Sequence, residues 1–275
     1  MSGSKWLADT LNKHPEISCS HSAGQLQIYG RQYSDQELED ILQRERLQFS
    51  GEYSLTTLFQ SVSQNTNKAY AGNVHAFRLD RFMEAKQKQN FDAEVRVANL
   101  IRHPIAVTLS RQAMFLNMCR HDEGVRERMR NGLKNSDDTY AQILRGHQAD
   151  QDDMANLCFL DAVKGLKRLS DEVVDYSEVL HVQVERLSDQ ACFKSLIRYL
   201  TSDEVDVSDA VILPLVASEP TNQHARGEET LTDRLKVLAP WKKEALAWAI
   251  ESSGILPNYR DIGYTDFDVV LACLA

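Results

Sequence analysis

Apolar residues along the chain recur at two spacings, one typical of helices and one typical of strands. Trp6, Leu7 and Leu11 share one face of a short helix. Pro15 disfavours helical backbone at the residue before it, so this helix is predicted to end near His14. The same spacing predicts further helices from Ser34 to about Phe49, after Pro104, over 152–169, around 193–200 and, last in the chain, around 241–249.

Three shorter runs have the pattern of strands. Residues 69–77 are predicted as a short strand with its exit loop, and residues 178–184 alternate between apolar and polar side chains. Residues 94–101 are almost continuously apolar and β-branched, which is typical of a buried parallel strand. Because strands and helices alternate, the chain is predicted to form βαβ units around a parallel sheet.

Ligands of such sheets bind at the carboxyl ends of the strands. This rule predicts that the turn Ser2–Trp6, the loop around His75 and Arg102 lie on one rim of the sheet. Residues 117–150 interrupt the pattern, because they are rich in charge and poor in apolar periodicity. We interpret them as a mobile insertion or lid.

Composition narrows the class of protein. The 275 residues are 43% hydrophobic and 26% charged, as in an average soluble protein, and the net charge of -9 argues against broad nucleic-acid binding. No apolar run is long enough to span a membrane, and the start of the chain lacks the apolar core of a signal peptide. The five cysteines form no C-x-x-C pair, which opposes a zinc site and suits a reducing, cytoplasmic compartment.

The first residues are the first candidate binding site. Ser2, Gly3 and Ser4 form a small, flexible turn that runs into the first predicted helix. Such a turn directs several backbone N–H groups at one point, and the positive end of the helix dipole adds to them, so the turn can cradle a phosphate. Lys5 brings a cation to the same place and Trp6 a flat aromatic surface. The stretch falls short of the full Walker pattern G-x-x-x-x-G-K-[ST].

A second candidate anion site follows the strand at 94–101. Arg102 stands at the end of this strand, and Ser110 lies eight positions later, about two turns into the next helix. The guanidinium fork suits phosphate oxygens, and the hydroxyl adds a donor. The alternative is an arginine that caps the strand and a serine that faces solvent.

Together these motifs resemble the sulfotransferase superfamily that uses 3′-phosphoadenosine 5′-phosphosulfate (PAPS). Ser2–Leu7 is similar to the family loop P-[KR]-S-G-[ST]-[ST]-W-L, and His14–Ile17 to the H-P-[DE]-I that often follows it. Arg102–Pro104 with Ser110 is similar to the family's strand, R-[DN]-P and later serine. Val184–Leu187 weakly resembles its Y-E-D-L. The likeness covers about residues 1–200.

The resemblance implies a single domain over 1–275, with a three-layer P-loop-type α/β fold in which helices flank a central parallel sheet. It implies that the backbone from Ser2 to Lys5 cradles the 5′-phosphosulfate of PAPS and that Trp6 stacks on the adenine. Arg102 and Ser110 would hold the 3′-phosphate. No metal is implied.

Three further features follow from the same resemblance. Arg226 and Gly227 faintly match the family's late R-K-G loop, which also reaches the 3′-phosphate. The family's first strand would lie before residue 1 and its basic residue would fall on Met1, so we expect a truncated or mis-assigned start. Lys5 would then partly replace the lost cation.

The implied reaction moves a sulfuryl group from PAPS to a hydroxyl or amine. Lys5 would offset charge on the leaving group, and a histidine would take the acceptor's proton. His75 is the first candidate for this base because it lies in the loop where many family members carry K-T-H. His21 is the second, because it follows the first helix near the position of a catalytic glutamate in other branches.

Two other functions remain open. One is a non-catalytic, nucleotide-binding descendant of the fold. The other is a P-loop kinase, although Trp6 stands where the Mg²⁺-binding hydroxyl of a kinase follows its lysine. Small alcohols, carbohydrates, lipids and peptide tyrosine all occur as acceptors in the wider family. The lid and the loop 201–230 are expected to choose among them, and the oligomeric state stays open.

Overall fold

A computed structural model describes residues 2–21, 68–74, 79–88, 95–134, 138–217 and 230–274. The strands in these ranges are β1 (Ile17–His21), β2 (Tyr70–Val74), β3 (Ala98–Ile101) and β4 (Leu180–Gln183). The helices are α1 (Ser2–Lys13), α2 (Leu79–Lys88), α3 (Pro104–His121), α4 (Glu123–Lys134), α5 (Asp138–Gly146), α6 (Met154–Asp175), α7 (Gln190–Thr201), α8 (Asp209–Val216), α9 (Leu231–Lys236), α10 (Pro240–Ser253), α11 (Ile255–Asp261) and α12 (Phe267–Leu274). The helix predicted over 34–49 lies outside the described residues.

The strands form two small sheets. β1 pairs with β2 in parallel, in a register that runs from Ile17 opposite Tyr70 to His21 opposite Val74. β3 pairs with β4, also in parallel. The protein is therefore α/β with parallel strands, and helices predominate. The described strands do not form one central sheet. β3 is also shorter than the predicted 94–101, because residues 95–97 lie outside its ladder.

Contacts separate the chain into two compact units. Unit 1 comprises Met1–Leu100 and Val179–His224, and unit 2 comprises Ile101–Glu178 and Ala225–Ala275. The prediction of a single domain over the whole chain stays a prediction, and each unit is described by itself.

Unit 1 has one apolar cluster to which helices and strands both contribute. Trp6, Leu7 and Leu11 on α1 are buried in it, which confirms the predicted helix face. The buried side chains are Trp6, Leu7, Leu11, Ile17, Val182, Leu187, Phe193, Leu196, Ile197, Val205, Ile212 and Leu215. The last two mark α8, which lies in a stretch that the sequence predicted to be loop.

The turn between α1 and β1 is held by polar contacts. Lys68 Nζ donates hydrogen bonds to the main-chain oxygens of Asn12, His14 and Ile17, at 2.6, 2.8 and 3.0 Å. His14 is fully buried, and its Nε2 donates to the carbonyl of Asp206 at 2.9 Å while its Nδ1 accepts the Glu16 N–H at 3.2 Å. These bonds define the imidazole tautomer and satisfy carbonyls that the end of a helix leaves open.

Unit 2 is built around α6, a helix of 22 residues. It begins at Asp153, whose carboxylate accepts the N–H of Asn156 as a helix cap. α3, α4, α10 and α11 all pack on α6. Its buried side chains are Leu157, Cys158, Phe159, Leu160, Ala162, Val163, Leu166, Ser170 and Val173. The predicted helices after Pro104 and over 152–169 are thus confirmed, and both extend beyond the predicted range.

Residues 117–150, which the sequence analysis interpreted as a mobile insertion or lid, are mostly helical in the structure. They contain the end of α3 and the helices α4 and α5. Val125 and Met129 are buried at spacing i, i+4 on α4. Tyr140, Ile143 and Leu144 are buried on α5. This apolar stripe was present in the sequence, but the surrounding charged residues masked its period.

The chain also continues beyond the helix that was predicted to be last. Gly254 ends α10 in the left-handed region, with φ of 63°, and begins α11 directly. This conformation favours glycine, which lacks the Cβ that strains it. α11 and α12 then bury Tyr259 and Phe267 in the core of unit 2. No helix in the described ranges combines the length and the apolar character that a membrane span requires.

Replacing Lys68 by methionine is expected to destabilise the protein. The substitution removes three hydrogen bonds from a charged donor, so the free energy of unfolding should fall by about 2–4 kcal/mol in urea titrations followed by circular dichroism. Lys88→Met is the matched control, because the pair that Lys88 forms with Glu84 is exposed. Equal losses in the two variants would contradict the structural role of Lys68.

Candidate functional site

The start of α1 and the end of β1 lie side by side because of their lengths. α1 has 12 residues, or about 18 Å of helix, and β1 has 5 residues, or about 16 Å of strand. The turn at residues 14–16 reverses the chain between them. The carboxyl end of the strand therefore returns to the first turn of the helix.

Two polar side chains meet at this point. Ser4 Oγ in the first turn of α1 lies 3.1 Å from Nε2 of His21, the last residue of β1. Either atom can be the donor, because the direction of the bond depends on the imidazole tautomer. Both side chains are half-buried. A hydroxyl and an imidazole in contact at the carboxyl end of a strand form an arrangement that can transfer a proton.

The backbone adds a positive potential at the same point. α1 begins at Ser2, so the predicted turn of Ser2, Gly3 and Ser4 is the first turn of the helix itself. The first four N–H groups of an α-helix point out of its end, and the helix dipole is positive there. The start of α1 thus has the backbone features that an anion site requires, and the cradle predicted from Ser2 to Lys5 stays a prediction.

Lys5 and Trp6 are placed less favourably for the predicted roles. The Lys5 side chain is 20% exposed, and its Nζ lies 3.7 Å from Asp9 one turn later. Trp6 is 4% exposed and packs edge-on against Phe193, with ring centroids 6.1 Å apart. A ring buried in this way has no open face on which adenine can stack, so Trp6 has a packing role here.

Of the two candidate bases, His75 was predicted on the rim of the sheet and His21 after the first helix. His21 is in register with Val74, the last residue of β2, so the carboxyl ends of β1 and β2 coincide. His75 follows Val74 in the sequence but lies outside the described residues. Arg226 and Gly227 lie outside them as well.

The second predicted anion site belongs to unit 2. Arg102 is half-buried between the end of β3 and the start of α3, and Ser110 is exposed on α3, about 9 Å along the helix from Pro104. His103 between them is the N-cap residue of α3 and is buried against Tyr264 and Phe267. It thus fills the turn before the helix. No group of three or more metal-ligating side chains occurs within the ranges that the structure describes.

The H-P-E-I stretch is structural in this protein. His14 is the buried, doubly bonded imidazole of the α1–β1 turn, and Ile17 belongs to the core. The Glu16 main chain accepts the N–H of Tyr70, which starts the β1–β2 pairing. The motif therefore positions the site without belonging to it.

The sequence identified Ser4 and His21 but did not predict that they touch. It assigned Ser4 to the cradle and His21 to a separate position after the helix. The matched lengths of α1 and β1 were the signal that could have brought them together. Comparison of the chain with models of protein families, with curated proteins and with solved structures found no match.

The Cys19 thiol beside this site is expected to be unreactive in the folded protein. Burial, with a smaller effect of Asp9, raises its pKa to about 12. At pH 8 about one such thiol in 10,000 is ionised, and only the thiolate attacks alkylating reagents. Iodoacetamide should therefore leave Cys19 unmodified in peptide mass spectra and should label it once urea unfolds the chain. Rapid labelling of the folded protein would contradict this prediction.

Proposed function

We propose that this chain is a sulfotransferase that moves a sulfuryl group from PAPS to a hydroxyl or amine of a small-molecule, carbohydrate or lipid acceptor. The observation that carries the proposal is the contact between Ser4 and His21 at the start of α1. It joins a candidate proton acceptor to a helix end that favours anions. These are the two groups that the reaction needs beside the reacting sulfur.

Sulfuryl transfer resembles phosphoryl transfer, because catalysis consists mainly of positioning and of stabilising charge on the leaving group. When bound, PAPS supplies the sulfuryl group and leaves as adenosine 3′,5′-bisphosphate. The first N–H groups of α1 would hold the sulfate and 5′-phosphate oxygens. Lys5 in the same turn would offset charge on the bridging oxygen, after its ammonium turns from Asp9.

His21 would act as the base. A neutral imidazole takes the proton of the acceptor while the acceptor oxygen or nitrogen forms its bond to sulfur and the bond from sulfur to the bisphosphate breaks. The hydroxyl of Ser4 would hold the ring in place through the 3.1 Å contact. His75 remains the other candidate for this role.

The 3′-phosphate is assigned to Arg102 and Ser110. Arg102 lies directly before α3, so the positive end of that helix reinforces its charge. Pro104, the first residue of α3, has no N–H group. The N–H groups that point out of the start of α3 therefore belong to the residues after Pro104. An arginine at a helix start has the chemistry that phosphate recognition uses.

The strand pairs support the three-layer, P-loop-type form of the fold. A five-stranded parallel sheet without its middle strand leaves two parallel pairs, and β1–β2 with β3–β4 have this form. Side chains from both pairs enter one apolar cluster of unit 1, among them Ile17, Val74, Leu100 and Val182. The resemblance predicted a central first strand, and no strand of the described residues joins the two pairs.

A non-catalytic nucleotide-binding protein is the second candidate. The observations that favour it are the burial of Trp6 and the pairing of Lys5 with Asp9. Both leave fewer side-chain groups in the first turn of α1 that can bind a nucleotide, and neither affects Arg102. Such a protein would bind the bisphosphate and transfer nothing.

Adenosine 3′,5′-bisphosphate should bind the protein, and Arg102→Ala should weaken this binding at least tenfold. Loss of a charged bidentate donor to phosphate costs about 1.4 kcal/mol or more. Isothermal calorimetry measures the affinity, with ADP and ATP as competitors that lack a 3′-phosphate. Arg120→Ala is the matched control, because Arg120 is exposed at the far end of α3. Preference for ATP with Mg²⁺ would favour the kinase alternative, and absence of bisphosphate binding would contradict the proposal.

His21→Gln should keep the affinity for adenosine 3′,5′-bisphosphate and lose transfer. Removal of a general base typically costs 10²- to 10⁴-fold in rate, so we expect a loss of about 100-fold or more. Transfer of labelled sulfate from PAPS to a phenol, an alkyl alcohol, a sugar and an amine measures it. Binding by the unmodified protein without transfer to any of these would favour the non-catalytic alternative. Full activity in His21→Gln would show that another residue is the base.

A further inference from the structure

A cleft runs between α5 and α10 in unit 2. It has a volume of about 400 Å³, which lies in the range of small-molecule sites. Its walls include Gln142, Ile143, Gly146 and His147 from the end of α5, and Glu244 and Trp248 from one face of α10. The space beside Gly146 is open, because a Cβ added there would meet no atom within 4 Å, so a larger side chain can be placed at this position.

One end of the cleft is lined by hydrogen-bond acceptors. His147 Nε2 lies 2.6 Å from Glu244 Oε2, and the two side chains are 33% and 56% exposed. With Nε2–H donating to the carboxylate, the neutral imidazole keeps Nδ1 as an acceptor. No contact in the described part of the chain engages this Nδ1 or Glu244 Oε1. His147 also follows the last residue of α5, where the helix dipole is negative.

The side of the cleft is apolar and firmly held. Ile143 is buried, and Trp248 packs against the core of unit 2. The ring of Tyr140 meets the ring of Trp248 edge-on, with centroids 5.3 Å apart and planes at 74°. A fixed indole face attracts cations through its quadrupole and covers apolar groups equally well.

We propose that this cleft binds a small primary amine. Its ammonium group would donate to Glu244 Oε1 and His147 Nδ1, and its apolar body would lie against Trp248 and Ile143. Two acceptors beside a negative helix end disfavour an anion, and a neutral ligand lacks the charge attraction that an ammonium group has to the carboxylate. The proposal concerns unit 2 alone and is independent of the sulfotransferase function.

The probe is 2-phenylethylamine, titrated into the full chain and followed by calorimetry and indole fluorescence. 2-Phenylethanol is the neutral control of nearly the same shape, and phenylacetate is the anionic one. We expect the amine to bind at millimolar concentration or below, and both controls to bind at least tenfold more weakly. Equal binding of amine and alcohol, or no binding of amine at 10 mM, a concentration of the order that a ligand of this size requires, would overturn the proposal.

Three variants locate the binding. Glu244→Gln should weaken binding of the amine at least tenfold, and Gly146→Leu should abolish binding by filling the cleft while leaving the hydrogen bond between His147 and Glu244 in place. Glu251→Gln is the matched control, since it removes an exposed carboxylate from the same helix outside the cleft. Thermal unfolding of each variant verifies that it is folded. Unchanged affinity in folded Glu244→Gln or Gly146→Leu would overturn the assignment to this cleft.

Discussion

The reversal of the chain between α1 and β1 is the constraint on which the candidate site depends. One lysine ammonium gathers three carbonyl groups there, and a buried imidazole connects the turn to the segment before α8. Carbonyl groups at a helix end that are turned inward must find donors, or their burial costs free energy. Lys68 is that donor, and the helix can therefore return directly into a strand. The meeting of Ser4 with His21 at the far end of both elements follows from this turn.

The sequence predicted the individual residues of the site better than the contacts between them. A proline after a short apolar face was enough to end α1, and the Ser-Gly-Ser stretch marked the start of a helix. The contact between Ser4 and His21 depends on two lengths and one turn, which no motif expresses. The donor that closes the turn, Lys68, lies 54 residues from His14 along the chain, and nothing in the local pattern around it indicates such a role. The burial of Trp6 likewise results from α7, which supplies Phe193.

Charge misled the sequence analysis in unit 2. Arg126 and Arg130 pair with Glu123 on the outer face of α4, and among its described side chains Val125 and Met129 are buried on the inner face. A helix that needs so few apolar residues resembles a solvated loop when composition is averaged over a window. The long helix α6 buries apolar side chains along most of its length and was therefore evident. The composition of α4 does not show which element packs on it. In the structure α4 packs on α6, and this contact orders the helix.

The similar lengths of α1 and β1 in ångströms also restrict how this protein can evolve. Adding one residue to α1 before its buried face would rotate Ser4 by about 100° around the helix axis and move it about 1.5 Å along that axis. Adding one residue to β1 would turn His21 to the opposite side of the sheet. Neither insertion compensates for the other, because the first rotates Ser4 around the helix axis and the second moves His21 to the opposite face of the sheet. Insertions are thus excluded from these two elements, and a lineage of such proteins can diversify in length only through its connections.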